Sequence, residues 1–468
     1  MASSKHVCRD EIRSRFSEAM SAMYRQEVPL YGDLIDIVAA VNERVLIEQP
    51  ALASALSRSG EIDRLSVERH GAIRLGTSQE LGLIRRAFAV MGMYPVGYYD
   101  LSIAGVPVHS TAFRPTDGQA LKRNPFRVFT SLLRLELIEE RSLRQSAEAI
   151  LADRRILSKA AIRLIGLAEA QGGLTQDNAE AFVSELLETF RWHGDAGVDG
   201  ATYARLHDAH RLIADIVSFR GPHINHLTPR TLDIDEAQAE MQRRGISAKA
   251  VIEGPPRRNV PLLLRQTSFK AIEEQVTFAG GAKDQRGTHT ARFGEIEQRG
   301  LALTRKGRDL YDLLLAEARG DEGSQGDDYE RRLSTAFERF PDSLDELRRD
   351  GLAYFSYVLT DAGHRRIAAV SLPDGDIEEW LTAGYVSAEP IVYEDFLPVS
   401  AAGIFQSNLG AEEQRSYTSA AARESFEQAL GVAVLDEFEL YDALAQSSLA
   451  RVREALCPAA AIASGNRS

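Results

Sequence analysis

The sequence predicts an α+β protein, with a mixed β-sheet core, a helical insertion and helical ends. Three observations predict it. Two stretches, beginning near residues 65 and 222, each run as a strand, a helix and further strands. Between them, residues 140–219 keep helical spacing of their apolar positions. Residues 9–58, and the stretch that closes near residue 456, read as helices too. The pattern divides the chain into N-terminal helices (1–60), a first strand-rich unit (61–139), the insertion (140–220), a second strand-rich unit (221–310) and a mixed C-terminal region that completes the pocket (311–468).

Taken in order, "LYGDLIDIVAAVNERVLIEQ" carries helical apolar spacing, and "LSVERHGAIRLGT" then brings a short strand that ends at glycine and threonine. Thr77 and Glu80 have capping-box spacing, so a helix follows through "QELGLIRRAFAVMGM". "YPVGYYDLSIAGVPVHSTAFRP" and "PFRVFTSLLRLELI" are rich in aromatic and β-branched residues, and they read as strands. The insertion is broken at "QGGLTQDN" and "HGDAGVDG". The second unit has a strand around His226, a helix in "DEAQAEMQRRGI" and strands through "VPLLLRQTSFKAI", "EQVTFAG" and "GTHTARFGEIEQRG". "EARGDEGSQGDDYE", residues 317–330, reads as a solvated acidic loop, "LAYFSYVLT" as a strand and "PAAAIASGNRS" as a frayed tail.

Composition narrows the function. A formal net charge of -13 argues against a general nucleic-acid or anionic-membrane surface. Arginine greatly outnumbers lysine, which suits planar contacts to carboxylates. Cys8 and Cys457 lie near opposite ends, too few for a disulfide framework or a cysteine-rich zinc site. No apolar run approaches the roughly 20 residues of a membrane span, and "MASSKHVCRDEIRSRF" lacks a secretory apolar core. The expectation is a cytoplasmic globular protein.

The chain has ten histidines, so each place where one meets a second polar group counts. On a strand through "RHGAIRL", His70, Ala72 and Arg74 share one face. In "GPHINHLTPR", Pro222 and Pro229 oppose a helix, and an extended reading puts Ile224, His226 and Thr228 on one face. His223 and Asn225 then point the other way, with His223 at the surface or behind the ligands. If "THTARFGEIEQRG" is one strand, His289, Ala291, Phe293, Glu295 and Glu297 share a face, and a carboxylate buried there needs a partner or a cation. Two histidines and a carboxylate from separate strands form the facial set of non-haem iron(II) sites. A satisfied core histidine, a surface arginine and an exposed, salt-bridged strand end fit the same residues, and spacing does not choose between these readings. His207 and His210, three apart in "TYARLHDAHRLIADIVSF", read as the surface of one helix. No nucleophile elbow, phosphate loop or dinucleotide fingerprint stands in the right context.

"VERHGAIRLGT", "MGMYPVGYYDL", "VPVHSTAFRP", "HINHLTPR", "ARFGEIEQRG" and "DFLPVSAAGIFQSNL" together resemble the 2-oxoadipate dioxygenase/decarboxylase family, over about residues 60–430. The resemblance implies a core related to the vicinal oxygen chelate fold, built from β-α-β-β-β units around iron. It implies His70, His226 and a glutamate of "FGEIEQRG" as ligands of Fe(2+), with Glu295 placed first and Glu297 in reserve. It implies Arg74 on the far carboxylate of 2-oxoadipate, and Val399 and Ser400 as substrate contacts closing the pocket. Octahedral iron held by three protein ligands leaves two positions for a 2-oxo acid and one for O2. The implied reaction yields 2-hydroxyglutarate and CO2 in lysine catabolism, with no nucleic acid or membrane partner. A zinc hydrolase using a metal-bound water is the alternative, because three protein ligands also suit zinc. A non-enzymatic sensor of oxo acids is the third.

Overall fold

The structure, a computed structural model, describes residues 6–280, 285–319, 327–369, 376–397 and 420–457. Two compact units emerge. The first comprises Met1–Gly254, Arg265–Gln298 and Asp395–Leu435; the second comprises Pro255–Leu264, Arg299–Glu394 and Asp436–Ser468. The α+β class holds.

The first unit is organised on a five-stranded mixed sheet. Its strands are β1 (Arg69–Leu75), β2 (Tyr94–Asp100), β3 (Val108–Arg114), β4 (Arg127–Leu133) and β5 (His226–Pro229), in the order β2-β3-β4-β1-β5. β1 runs parallel to β4 and antiparallel to β5. The helix Ser78–Val90 follows β1 and then come β2, β3 and β4, so the β-α-β-β-β order implied by the resemblance is present with one short helix, Gly118–Arg123, inserted before β4. Half of the capping box that starts this helix forms as read, Thr77 Oγ1 accepting from Glu80 N at 3.2 Å, while the Glu80 carboxylate reaches one residue further back and accepts from Gly76 N at 2.8 Å.

Alternation along the strands gives the sheet two different faces. Ile73, Leu75, Phe113, Val128 and Leu132 point into the main apolar core, against Leu81, Ile84 and Phe88 of that helix and Phe16 of the helix Arg9–Glu27. Each such side chain contributes about 1.5–3 kcal/mol by leaving water. The other face carries polar rows, set by register. Arg127, His70 and Thr228 lie side by side; then Phe129, Ala72 and His226; then Ser131 and Arg74. Gly71 shows why β5 can close against β1: a Cβ there would lie 2.6 Å from Ile224 Cδ1 and 3.2 Å from the His226 carbonyl oxygen.

The insertion is helical as expected, from Arg141–Asp153 through Lys159–Gln171, Gln176–Phe190 and Gly200–Ala209 to Arg211–Ser218. His207 and His210 do not share one helix. His210 caps the last of these helices, its Nδ1 accepting from Leu212 N at 3.1 Å.

The second strand-rich stretch departs from the sequence reading. Among its described strands only β5 joins the large sheet. After the helix Ile234–Arg243, β6 (Leu264–Ser268) pairs with β9 (Glu295–Arg299), and β7 (Glu274–Thr277) with β8 (Arg286–His289). "THTARFGEIEQRG" is therefore two strands, not one. Between them the backbone bonds irregular partners instead of a ladder: Phe293 N to Asn225 O, Ile272 N to Arg292 O and Phe269 N to Gly294 O. Ile224 also sits in the apolar core rather than beside His226, because β5 begins only at His226.

In the second unit, β10 (Phe355–Leu359) and β11 (Val386–Pro390) pair antiparallel, with Trp380, Val386, Val452 and Leu456 in a small core. The acidic stretch read as a loop over 317–330 is helical at both ends, within Arg305–Arg319 and Asp327–Phe337, and its centre lies outside the described residues. Among the described residues no helix is long and apolar enough to cross a membrane.

Candidate metal centre

His70 comes from β1, His226 from β5 and Glu295 from the start of β9; all three are buried, and their ligand atoms lie within 4.8 Å of one another. His70 Nε2 is 3.2 Å from Glu295 Oε1, and the two imidazoles meet edge to face with centroids 5.3 Å apart. Thr228, opposite His70 in the register, donates to Glu295 Oε1 at 3.1 Å, and Gln266 of β6 donates to the same oxygen at 2.6 Å. These bonds fix the carboxylate's orientation.

The ring nitrogens test whether this set fits a cation. Both nitrogens of His70 and both of His226 are buried without a hydrogen-bond partner of good geometry. Buried imidazole nitrogens are ordinarily paired; those of His70 face the Glu295 and Glu297 carboxylates, whereas the two unpartnered nitrogens of His226, beside Glu295, fit a cation. Burial pushes His226 down to about 4 despite the attraction of Glu295, so its ring is neutral, the form that ligates metal. For His70, burial is outweighed by the Glu297 and Glu295 carboxylates, and its pKa stands above the ordinary value. For Glu295, burial is outweighed by His226 and His70, which hold its carboxyl below the ordinary value.

Glu297 occupies a different place from Glu295. Its Oε2 lies 2.8 Å from His70 Nδ1, the ring nitrogen opposite the one that faces Glu295. Its Oε1 is 3.8 Å from Arg127 Nη1. Arg127 in turn bonds Glu68 at 2.8 Å, and Glu68 takes Arg64 and Arg230, both also on Glu61. Three arginines and three carboxylates thus form a buried set of zero formal charge behind the His70 ring. Burial alone would raise Glu68, but the three guanidiniums hold it well below the usual carboxylate range.

Arg74 lies on the His70 face of β1, partly exposed, and its Nη1 donates to Asp215 Oδ2 at 2.6 Å. Phe396 packs against His70 and Phe129, and Phe293 against His226, with centroids 4.7–5.3 Å apart. Val399 and Ser400 lie outside the described residues.

Sequence reasoning missed Asp215, Gln266 and the arginine–carboxylate set. The signal for Asp215 was present: it is the one acid in the apolar run "LIADIVS", all of which is buried. His223, read as surface or behind the ligands, is buried at 5% exposure, its Nε2 3.2 Å from Asp215 Oδ1. His289, placed by alternation on the Glu295 face, instead meets Asp215 as well, at 2.9 Å.

Two histidines from the mixed sheet and one carboxylate from the β6–β9 pair meet at a single point on the face that presents an arginine, and this group could hold a metal ion with the donor set of the facial two-histidine, one-carboxylate class. Comparison with known proteins sharpens this. The family model described as 2-oxoadipate dioxygenase/decarboxylase matches residues 16–408. A 2-oxoadipate dioxygenase/decarboxylase of Escherichia coli K12 is 58% identical over 445 residues, covering 95% of this chain and 98% of that protein. One from Pseudomonas putida is 55% identical over 461 residues, covering 97% and 99%. The solved structure of the Pseudomonas putida hydroxyglutarate synthase in complex with 2-oxoadipate matches with a TM-score of 0.91 at 55% identity, over 96% of this chain and 99% of that one. The chain belongs to the 2-oxoadipate dioxygenase/decarboxylase family.

Proposed function

We propose that this protein is an Fe(II)-dependent dioxygenase that converts 2-oxoadipate and O2 to 2-hydroxyglutarate and CO2, in lysine catabolism. The carrying observation is the convergence of His70, His226 and Glu295, with both His226 nitrogens unpartnered, on the face of β1 that also presents Arg74. The names of these relatives favour oxygen chemistry over the zinc-hydrolase reading. The equation balances without a second reductant: all atoms of 2-oxoadipate and O2 appear in the two products.

His70, His226 and Glu295 would hold the iron. When bound, it supplies a Lewis-acidic centre with open positions for the 2-oxo acid and for O2. The chain's other groups then have defined tasks. Arg74, four residues along β1 from His70, stands about 13 Å away between Cα atoms. The two side chains can narrow that span to the length of a six-carbon diacid. Its guanidinium would bind the far carboxylate, a charge-assisted contact contributing about 1.5–3 kcal/mol. Phe129, Phe396 and Phe293 exclude water around the imidazoles. Glu297 faces the back of His70 and holds the ring in place.

The test is anaerobic reconstitution with iron(II), followed by an oxygen-electrode assay with 2-oxoadipate as the sole organic substrate. We expect O2 uptake equal to the 2-hydroxyglutarate formed, with label from isotopic O2 in the product. Product formation without O2 consumption would overturn the proposal.

A further inference from the structure

The helical insertion delivers a second buried cluster to the sheet face: Asp215, His223 and His289, whose ligand atoms also lie within 4.8 Å of one another. Its bonding differs from that of the first. Asp215 Oδ2 is taken by Arg74 Nη1 at 2.6 Å, while Oδ1 accepts from His289 Nε2 at 2.9 Å and lies 3.2 Å from His223 Nε2. The remaining nitrogen of His289 meets Tyr203 Oη at 2.8 Å. Both carboxylate oxygens and both His289 nitrogens are thus in use, whereas neither nitrogen of His226 has a partner. A divalent cation at Asp215 would have to share this carboxylate with a guanidinium 2.6 Å away. The cluster has the bonding of a clamp, not of an open metal site.

What it clamps is one arm of Arg74. With the Asn225 amide turned so that its nitrogen reaches Ala72 O at 3.3 Å, its oxygen accepts from the same Nη1 at 3.1 Å. Both protons of Nη1 are then committed. Among the described residues Arg74 has no other hydrogen-bond partner, so Nε and Nη2 form an uncommitted edge. That edge is the part of a guanidinium that binds a carboxylate through two parallel bonds. Burial would raise the Asp215 carboxyl, but His223, the Arg74 guanidinium and the bond from His289 hold it well below its usual range, so it stays anionic. Trp192 stacks on His289 and meets His223 edge-on, which leaves Asp215 little freedom to swing.

We infer that Asp215, held by His289 and His223, is a positioning residue that aims the Nε–Nη2 edge of Arg74 at the substrate's far carboxylate, and so makes the protein selective for 2-oxo diacids. The inference rests on the reading of Arg74 as the receptor for that carboxylate. Asp215 acts only through Arg74. A bidentate charge-assisted contact made without its aim weakens by about ten- to hundredfold.

The experiment measures binding, without turnover, of 2-oxoadipate and of 2-oxohexanoate, which lacks the far carboxylate, to the iron-loaded protein under anaerobic conditions by calorimetry. Asp215→Asn is expected to raise Kd for 2-oxoadipate about ten- to hundredfold, to leave 2-oxohexanoate unchanged and to keep one iron per chain. In an Arg74→Ala background the same substitution should add nothing. Equal weakening of both ligands, further weakening in the Arg74→Ala background, or a second metal per chain that disappears in Asp215→Asn would each overturn it. Arg74→Ala that weakens both ligands equally refutes the Arg74 reading itself. Arg74→Ala that discriminates between them while Asp215→Asn binds like wild type refutes only this inference. Should Asp215→Asn fail to fold, Tyr203→Phe loosens His289 from outside and is expected to shift 2-oxoadipate alone, by a smaller factor; no shift in that variant would overturn the inference equally.

Discussion

On the proposed reading, replacing Glu297 by glutamine separates a metal ligand from the group behind it. The amide matches the carboxylate in shape but removes one negative charge from the buried set of three arginines and three carboxylates, leaving it at +1. The pair most exposed to this is Arg127 with Glu297, 3.8 Å apart, whose gross attraction is about 4 kcal/mol at an effective dielectric constant near 20. Arg127 keeps Glu68 at 2.8 Å, so the expected loss of folding stability is about 3 kcal/mol, the low end for breaking a buried pair. At the metal, loss of the carboxylate behind His70 weakens affinity by about 10–100-fold, or about 1.4–2.7 kcal/mol. Urea unfolding of the metal-free protein reads the first quantity, and iron competition with a graded chelator reads the second. Glu295→Gln is the contrast: it removes a donor, so iron should no longer survive gel filtration. If Glu297→Gln loses iron outright while Glu295→Gln retains it, the roles of the two glutamates are reversed. If Glu297→Gln binds iron as tightly as wild type, the claim that it supports His70 is wrong.

Arg74→Lys keeps the charge but loses the planar fork, so it should bind 2-oxoadipate far less well than wild type while still preferring it to 2-oxohexanoate; a lysine variant with wild-type affinity in the same calorimetry would show that charge alone suffices. The metal-free protein should lose stability on acidification between pH 6.5 and about 4, because His226, pushed down to about 4 when folded, takes up a proton more readily when unfolded. The contribution is fully present above pH 6.5, amounts to about 3 kcal/mol and is gone below pH 4; His70, shifted upward, acts only above this window. His226→Asn should flatten the slope in urea titrations across that range, and an unchanged slope would assign it to other groups. Gly71→Ala should cost about 1–3 kcal/mol by overpacking, since its Cβ would meet Ile224 Cδ1 at 2.6 Å; a thermal midpoint equal to wild type would mean that β1 and β5 part easily.

How much of this was legible follows from how local each cause is. The face shared by His70 and Arg74 was readable because strand alternation depends only on the chain itself. The Thr77–Glu80 cap and the helical insertion were readable for the same reason. Choosing between Glu295 and Glu297 was not. Alternation puts both on one face of β9, yet they meet opposite nitrogens of one imidazole, which depends on how β9, paired with β6, approaches a sheet to which it does not belong. The irregular backbone after His289 was hidden because its partners, Asn225, Phe269 and Ile272, are distant in sequence. His210 ended a helix where apolar periodicity ran on, since a capping bond leaves no trace in that pattern.

The placement of β5 beside β1 has a consequence in time. His226 follows His70 by 156 residues, and Glu295 follows His226 by a further 69. At about 5–20 residues per second, a ribosome spends roughly 8–30 s between the two histidines. From Leu133, where β4 ends, until His226 is made 93 residues later, β2, β3, β4 and β1 have their helix to cover one face, while β1 exposes an unpaired edge where β5 will dock. An open strand edge is a template for the wrong partner. The helical insertion, made of local contacts that form quickly, emerges during this same delay. His70, His226 and Glu295 can meet only after β9 has been made, so on the proposed reading metal capture would fall late in the birth of the chain and reward only molecules whose edge was kept for β5.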